Sequence, residues 1–512
     1  MTTRCWYIAV ALLVGLTANA GAAADAPLIE AVTRQDHAAV RRLLGEGADV
    51  NARQGDGATA LHWAVHLGDV DTVGLLVAAG AEAGAANDLG VTPLLLASTN
   101  GNTAIVQTLL DGGADPDGGR PGQENPLMRA AWSGSLDVVT TLLDGGADVR
   151  AAESGRGQTA LMWAVSEGHA AVARVLVERG ADVWATTVTH LTGYRARRDV
   201  AGFTPLLFAA RVGSLASARL LLDAGANPND ASTDGLSALG LATVRGHVEV
   251  ARLLLEYGAD ANAGVPGYTP LHWAAGAWET SLTIREFRAD REGNDEWNAL
   301  PGLRDGKIEL VRTLLGHGAD PDARLTRTPA RAGATRNGGL PELVGATPFL
   351  LAAVAGDATV MRILAEAGAD TSVTTDLGST VLMAAAGMGR VPGENSVGEA
   401  ESEAAARLAF ELGADVTAVD DIGNTALHYA AYNRLTPVLQ LLADEGAPLE
   451  VRNKFGETAL WLADLALQYH GGGTFQIVPT SSGALLRGLG AQATLPSYDR
   501  ARPRYWPDLK LQ

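Results

Sequence analysis

At 512 residues the chain exceeds what one hydrophobic core organises, which leaves several globular domains or one array of units that each pack on their neighbours. Charged residues at 19%, an apolar fraction of 47% and 61 glycines argue for small-residue helix packing with frequent turns and against extended disorder. The formal charge of −19 disfavours nucleic acid and anionic lipid as partners.

The N-terminus reads Met1-Thr2-Thr3-Arg4, then an apolar stretch from Cys5 to Leu16, then the small residues Ala18-Asn19-Ala20 and Ala22-Ala23-Ala24. That is the grammar of a secretory signal cleaved after Ala20 or Ala24. The apolar stretch is shorter than the roughly 20 residues that cross a bilayer, so cleavage is expected rather than anchoring, with no membrane insertion afterwards. Removal of residues 1–24 takes away only one charge, Arg4, and leaves 38 positive against 58 negative groups, or −20. It also takes away Cys5, the single cysteine, so the mature chain has no thiol for a disulfide or a thiolate metal site.

From residue 59 a repeat governs the sequence. Thr59-Ala60-Leu61-His62-Trp63-Ala64-Val65 returns as Thr159-Ala160-Leu161-Met162-Trp163-Ala164-Val165, as Thr269-Pro270-Leu271-His272-Trp273-Ala274-Ala275 and as Thr425-Ala426-Leu427-His428-Tyr429-Ala430-Ala431. Looser copies start at Thr92, Asn125, Thr204, Ser237, Thr347, Thr380 and Thr458, and most spacings fall within one residue of 33. Thr is a good N-cap, Pro is tolerated at the first helical position, and Leu with Ala at helical spacing makes a narrow apolar face. A short first helix is therefore predicted after each start. An apolar run such as Val248, Val250, Leu253, Leu254 and Leu255 predicts a second helix, ended by a glycine such as Gly258 in the left-handed conformation. Gly-Ala-Asp or a near equivalent follows, as at Gly180-Ala181-Asp182.

This pattern resembles the ankyrin repeat, whose signature is Thr-Pro-Leu-His-x-Ala at a period of 33. The resemblance covers roughly residues 25–490. With a degenerate opening repeat and a divergent closing one from Thr458, it implies an all-α repeat solenoid of about twelve repeats. Each repeat would be a helix-turn-helix with a hairpin-like connector, and the repeats would stack in a curved array with a concave face. Insertions near 187–200, 277–305, 325–344 and 390–402 interrupt the period, and 491–512 reads as an extended tail rich in Arg, Pro, Tyr and Trp. Trp278, Phe287 and Trp297 suggest that the longest insertion is partly packed, whereas the acidic stretch from Gly393 to Glu403 reads as solvated.

Ten histidines invite a search for chemistry. Repeat position accounts for His62, His272 and His428 in the signature slot, for His37, His169 and His247 before second helices, and for His317 before Gly318. His66, His190 and His470 have no such explanation. His62 and His66 lie one helical turn apart, but the intervening Glu of a zinc protease and a third ligand are missing. There is no Gly-x-Ser-x-Gly elbow, and Gly302 to Lys307 lacks the spacing and hydroxyl of a phosphate loop. Acidic pairs such as Asp115 with Asp117 and Asp320 with Asp322 lack calcium-loop spacing. No cofactor, metal or catalytic residue is expected.

Trp63, Trp163, Phe208, Trp273 and Tyr429 share one slot, four residues after their starts, expected to pack between units. Positions seven and eight after the start face the concave surface in the family. Here they include His66, Leu67, Trp132, Glu167, Arg211, Arg245, Tyr432 and Asn433, varied as a recognition surface would be. A second candidate lies in two connectors that contrast with the acidic chain. Arg195, Arg197 and Arg198 stand against Asp199, a local balance of +2; Arg324, Arg327, Arg331 and Arg336 stand against Glu342, or +3. They would form basic fingers for a partner with an acidic surface. The function implied is a non-catalytic protein-interaction scaffold, monomeric and periplasmic or secreted. The alternatives are an accessory subunit that protects or positions an exported enzyme, and a hydrolase with a site built from the insertions.

Overall fold

The computed structural model describes residues 27–119, 122–188, 201–233, 235–264, 267–276, 306–326, 343–389, 397–467, 475–477 and 480–492. The expected signal segment, most of each insertion and the tail beyond Gln492 lie outside them. The chain divides into two compact units, Met1–Thr233 and Asp234–Gln512.

Each unit is a stack of helix pairs, six pairs in each among the described residues. The first unit runs from Pro27–Thr33 with His37–Gly45 to Pro205–Val212 with Leu215–Asp223, and the second from Ala238–Val244 with Val248–Glu256 to Ala459–Asp464 with Ser481–Gly488. Twelve pairs agree with the twelve repeats expected. First helices are five to eight residues long, and most second helices have nine. Helices this short are marginal in isolation, so they persist only by packing: within each unit first helices lie on first helices, and second helices on second.

The local chemistry is that anticipated from the residues. Thr92 Oγ1 accepts from Leu95 N at 3.2 Å, and Asn125 Oδ1 from Met128 N at 2.9 Å. Pro93, Pro126, Pro205, Pro270 and Pro348 open their helices where no amide partner is needed. Gly258 ends its helix with φ +87°, letting Ala259 N reach back to Leu254 O at 2.9 Å. Leu61, Ala64 and Val65 of one first helix are fully buried, as are Val250, Leu253 and Leu254 of one second helix. Each such side chain contributes roughly 1.5–3 kcal/mol when large and aliphatic.

Connectors join into ladders. In the first unit Asp88 N donates to Asp56 O at 3.0 Å, Ser154 N to Gly122 O at 2.9 Å and Val188 N to Arg156 O at 2.8 Å. In the second, Asp376 N donates to Val344 O, Asp421 N to Leu377 O and Lys454 N to Ile422 O, all at 2.8–2.9 Å. Gly57 sits at such a tip with φ +79°, where a Cβ would lie 2.7 Å from Asp88 Oδ1 and 3.0 Å from Asp88 N. Gly57→Ala is therefore expected to cost at least the roughly 1–2 kcal/mol of left-handed strain. Urea titration measures it, and a loss within a few tenths would contradict the contact.

Two features depart from the simple repeat. In the last pair the connection contains a short antiparallel hairpin, Leu465–Leu467 with Phe475–Ile477, so the array is not wholly helical. Beyond the hairpin, Asp464 accepts from Thr480 N at 3.2 Å and pairs with Arg487, fixing the closing helix onto its partner. The other feature is Glu399–Glu411, a 13-residue second helix whose first turn uses residues assigned to the solvated insertion. Ser402 there is buried and donates to Gly398 O at 2.9 Å, while Glu399 and Glu401 are exposed.

Candidate protein-binding face

The first helix of each pair has one side against its second helix and another toward the connector that precedes it. Three histidines set this corner. Nδ1 of His62, His272 and His428 accepts from the backbone N–H of Thr59, Thr269 and Thr425 at 3.0–3.1 Å. An acceptor at Nδ1 places the proton on Nε2, which donates to Val91 O at 3.0 Å, Ala346 O at 3.3 Å and Glu457 O at 3.2 Å in the following repeat. Burial holds all three rings below the ordinary histidine range, His272 to about 4. They are neutral struts between repeats, and His62 has no nitrogen left for a metal.

The aromatic slot lies against the connector. Trp63 Nε1 donates to Gln54 Oε1 at 3.0 Å, and Tyr429 Oη to the buried Asp420 Oδ2 at 2.7 Å. Phe208 meets Phe203 edge-on at 5.5 Å, and Trp273 meets Tyr268 at 5.3 Å. In the same slot of another repeat, Arg129 Nε pairs with Glu124 at 2.8 Å. One turn later the next side chains lean on these. His66 meets Trp63 edge-on at 6.0 Å, and the guanidinium of Arg211 lies 4.9 Å from the Phe208 ring centre and 6.0 Å from that of Phe203.

The eight concave-face candidates divide between the units. His66, Leu67, Trp132, Glu167 and Arg211 belong to the first unit. There Leu67 and Glu167 are exposed and the other three half-buried. Arg245, Tyr432 and Asn433 belong to the second unit and are half-buried. Asn433 has a structural duty: its amide donates to Gly387 O and to Tyr429 O, both at 2.9 Å, tying its repeat to the one before. Arg195, Arg197, Arg198, Arg327 and Arg331 lie outside the described residues, as do Trp278, Phe287 and Trp297. Their neighbour Arg324 folds back onto Asp376 at 2.8 Å.

The acidic pairs are consumed by backbone. Asp115 Oδ1 accepts from Asp117 N at 3.1 Å, and Asp117 in turn from Asp148 N of the next repeat at 3.0 Å. Asp322 does the same for Asp370 N at 2.8 Å. Among the described residues no three His, Cys, Asp or Glu side chains converge as a metal site would need, and no helix is long and apolar enough to cross a membrane. Arg129 and Gln54 escaped the sequence reading. The signal was positional: aligning every residue four after and five before a start would have brought them beside the aromatics.

A family model described as ankyrin repeats in three copies matches residues 9–87, 28–119, 61–153, 117–187 and 206–287, and one described as ankyrin repeats in many copies matches 399–443. The first match begins inside the stretch expected to be a signal. The ankyrin repeat domain of human ASB11, known from a crystal structure, is 27% identical, covers 46% of this chain and 98% of its own, and superposes with a TM-score of 0.39. No curated protein matches the chain. The three-copy matches take in more than half of the sequence, so the chain belongs to the ankyrin-repeat family.

Proposed function

We propose that the protein is a non-catalytic scaffold that binds another protein through the corner between first helices and connectors, outside the cytoplasm. Ankyrin repeats are generally protein–protein interaction modules, and their fold is typically non-catalytic. The observation that carries the reading is the contrast between frame and face. Frame positions keep one chemistry in repeat after repeat: a capping Thr, Ser or Asn, a buried Leu, a buried Ala. The residues one turn further along change from His66 to Trp132 to Arg211, as recognition requires. Export rests on the three-part N-terminus and on the loss of the lone cysteine with it.

The test is recovery of the tagged full chain from its native host after mild cross-linking. The reading expects a mature protein that begins at Gly21 or Asp25 by intact mass, joined to a defined protein in the envelope fraction. Retention of Met1 would contradict export, and recovery with no partner would contradict the scaffold.

A further inference from the structure

In the second unit the connector at residues 451–457 serves the one before it at three points. Lys454 N donates to Ile422 O at 2.8 Å, Asn453 Nδ2 donates to Asn424 Oδ1 at 3.0 Å, and Glu457 O accepts from His428 Nε2 at 3.2 Å. One repeat further on, the residues matching Ile422, Asn424 and His428 are Phe455, Glu457 and Trp461. Among the described residues nothing donates to Phe455 O. The Glu457 carboxylate is buried with one side-chain donor, Asn453 at 2.8 Å, and burial raises its pKa above the usual carboxylate range. Trp461 is half-buried and carries an indole N–H at the position where His428 carries Nε2.

The chain leaves the closing helix, Ser481–Gly488, in the register that begins a connector. Gly490 takes φ +101°, Ala491 N returns to Leu486 O at 2.9 Å, and Gln492 N donates to Glu450 Oε1 at 2.7 Å. The last contact matches Glu82 N on Asn51, Asp148 N on Asp117 and Asp370 N on Asp322, at 2.8–3.0 Å. In those three repeats the residue six further along, Asp88, Ser154 or Asp376, gives its amide to the preceding connector. Six beyond Gln492 is Tyr498. The strut acceptors Val91 and Glu457 stand nine beyond Glu82 and Pro448, and nine beyond Gln492 is Ala501.

We propose that residues 493–501 dock on this open edge as one further connector, with Tyr498 N donating to Phe455 O, Ser497 Oγ to the Glu457 carboxylate and the Trp461 indole to Ala501 O. Each contact repeats one that the preceding connectors make, and Ser497 supplies the second donor that a buried carboxylate needs. Pro496 falls at the position of Arg452, whose amide donates no hydrogen bond, so the missing N–H of proline costs nothing there. An open ladder edge is a template for pairing with another chain, and the docked segment closes it. This inference goes beyond the scaffold reading and does not depend on it.

Hydrogen exchange on the full-length protein, resolved to short fragments, tests it. Amides 497–501 should exchange at least about tenfold more slowly than those of 504–512. Tyr498→Pro removes the donor; it should abolish that protection and speed exchange in 453–464, whereas Leu509→Pro, beyond the matched register, should change neither. Free-chain exchange throughout 493–501 would overturn the proposal, as would protection there that survives Tyr498→Pro. Protection that appears only as the protein concentration rises would also overturn it, by giving the edge to a second copy of the chain. The comparison within the unaltered protein needs no variant, so a Tyr498→Pro protein that failed to fold would leave the test standing.

Discussion

Replacing Leu254 with Ala is expected to cost about 2–5 kcal/mol, whereas the same change at Leu67 should cost well under half as much. Leu254 has no exposed surface and lies on the buried side of Val248–Glu256, where truncation leaves a cavity that short, mutually braced helices cannot collapse. Leu67 ends its first helix with 37% of its surface in water, so little is lost when it is shortened. Because each pair depends on its neighbours, the Leu254 defect should spread to Ala238–Val244 and Lys307–Gly316, which pack against its helix. Denaturant titration compares the two variants. Equal losses would mean that the faces of the helices are wrongly assigned.

Acidification is expected to destabilise the second unit through His272. Its folded-state value of about 4 lies below the 6.5 of a solvated histidine, because burial disfavours the charged ring. Below pH 6.5 the unfolded chain therefore takes up a proton that the folded chain refuses. The contribution is complete above about pH 6.5, is lost progressively as the pH falls toward 4, and amounts to on the order of 3 kcal/mol over that window. His62 and His428 are lowered for the same reason and act in the same direction. His272→Leu supplies the residue that other repeats carry at this position, Leu207 and Leu350. It should be less stable at neutral pH, where the strut from Thr269 to Ala346 is lost, and should show a shallower fall between pH 6.5 and 4. Parallel profiles for the two proteins would show that His272 titrates in the folded state as it does in the unfolded one.

The frame was legible from sequence because each of its elements has a local cause. Thr before Pro-Leu caps a helix whatever surrounds it, and Gly258 must take φ > 0 to turn the chain. The period of 33 then copies those causes along the molecule. The binding corner was only partly legible. His66, Trp132 and Arg211 were found from their place in the repeat. Asn433 shares that register, yet its amide serves Gly387 and Tyr429 instead, and nothing local distinguishes a side chain that reaches outward from one that reaches to the previous repeat. Arg129 was missed because an arginine in an aromatic slot is unremarkable until Glu124 is seen beside it. The hairpin after Asp464 has the same origin: Leu465–Leu467 continues an apolar helix by pattern, and only pairing with Phe475–Ile477, ten residues away, makes it a strand.

On the proposed function, partners bind at the corner between first helices and connectors. Hydrogen exchange on the partner complex recovered from the host, against the free protein, tests it most directly. Added protection is expected in first helices and connectors of the first unit, near residues 56–66, 122–133 and 201–212, with second helices such as Ala170–Glu178 unchanged. Protection concentrated on the second helices, with the corner exchanging as in the free protein, would contradict it.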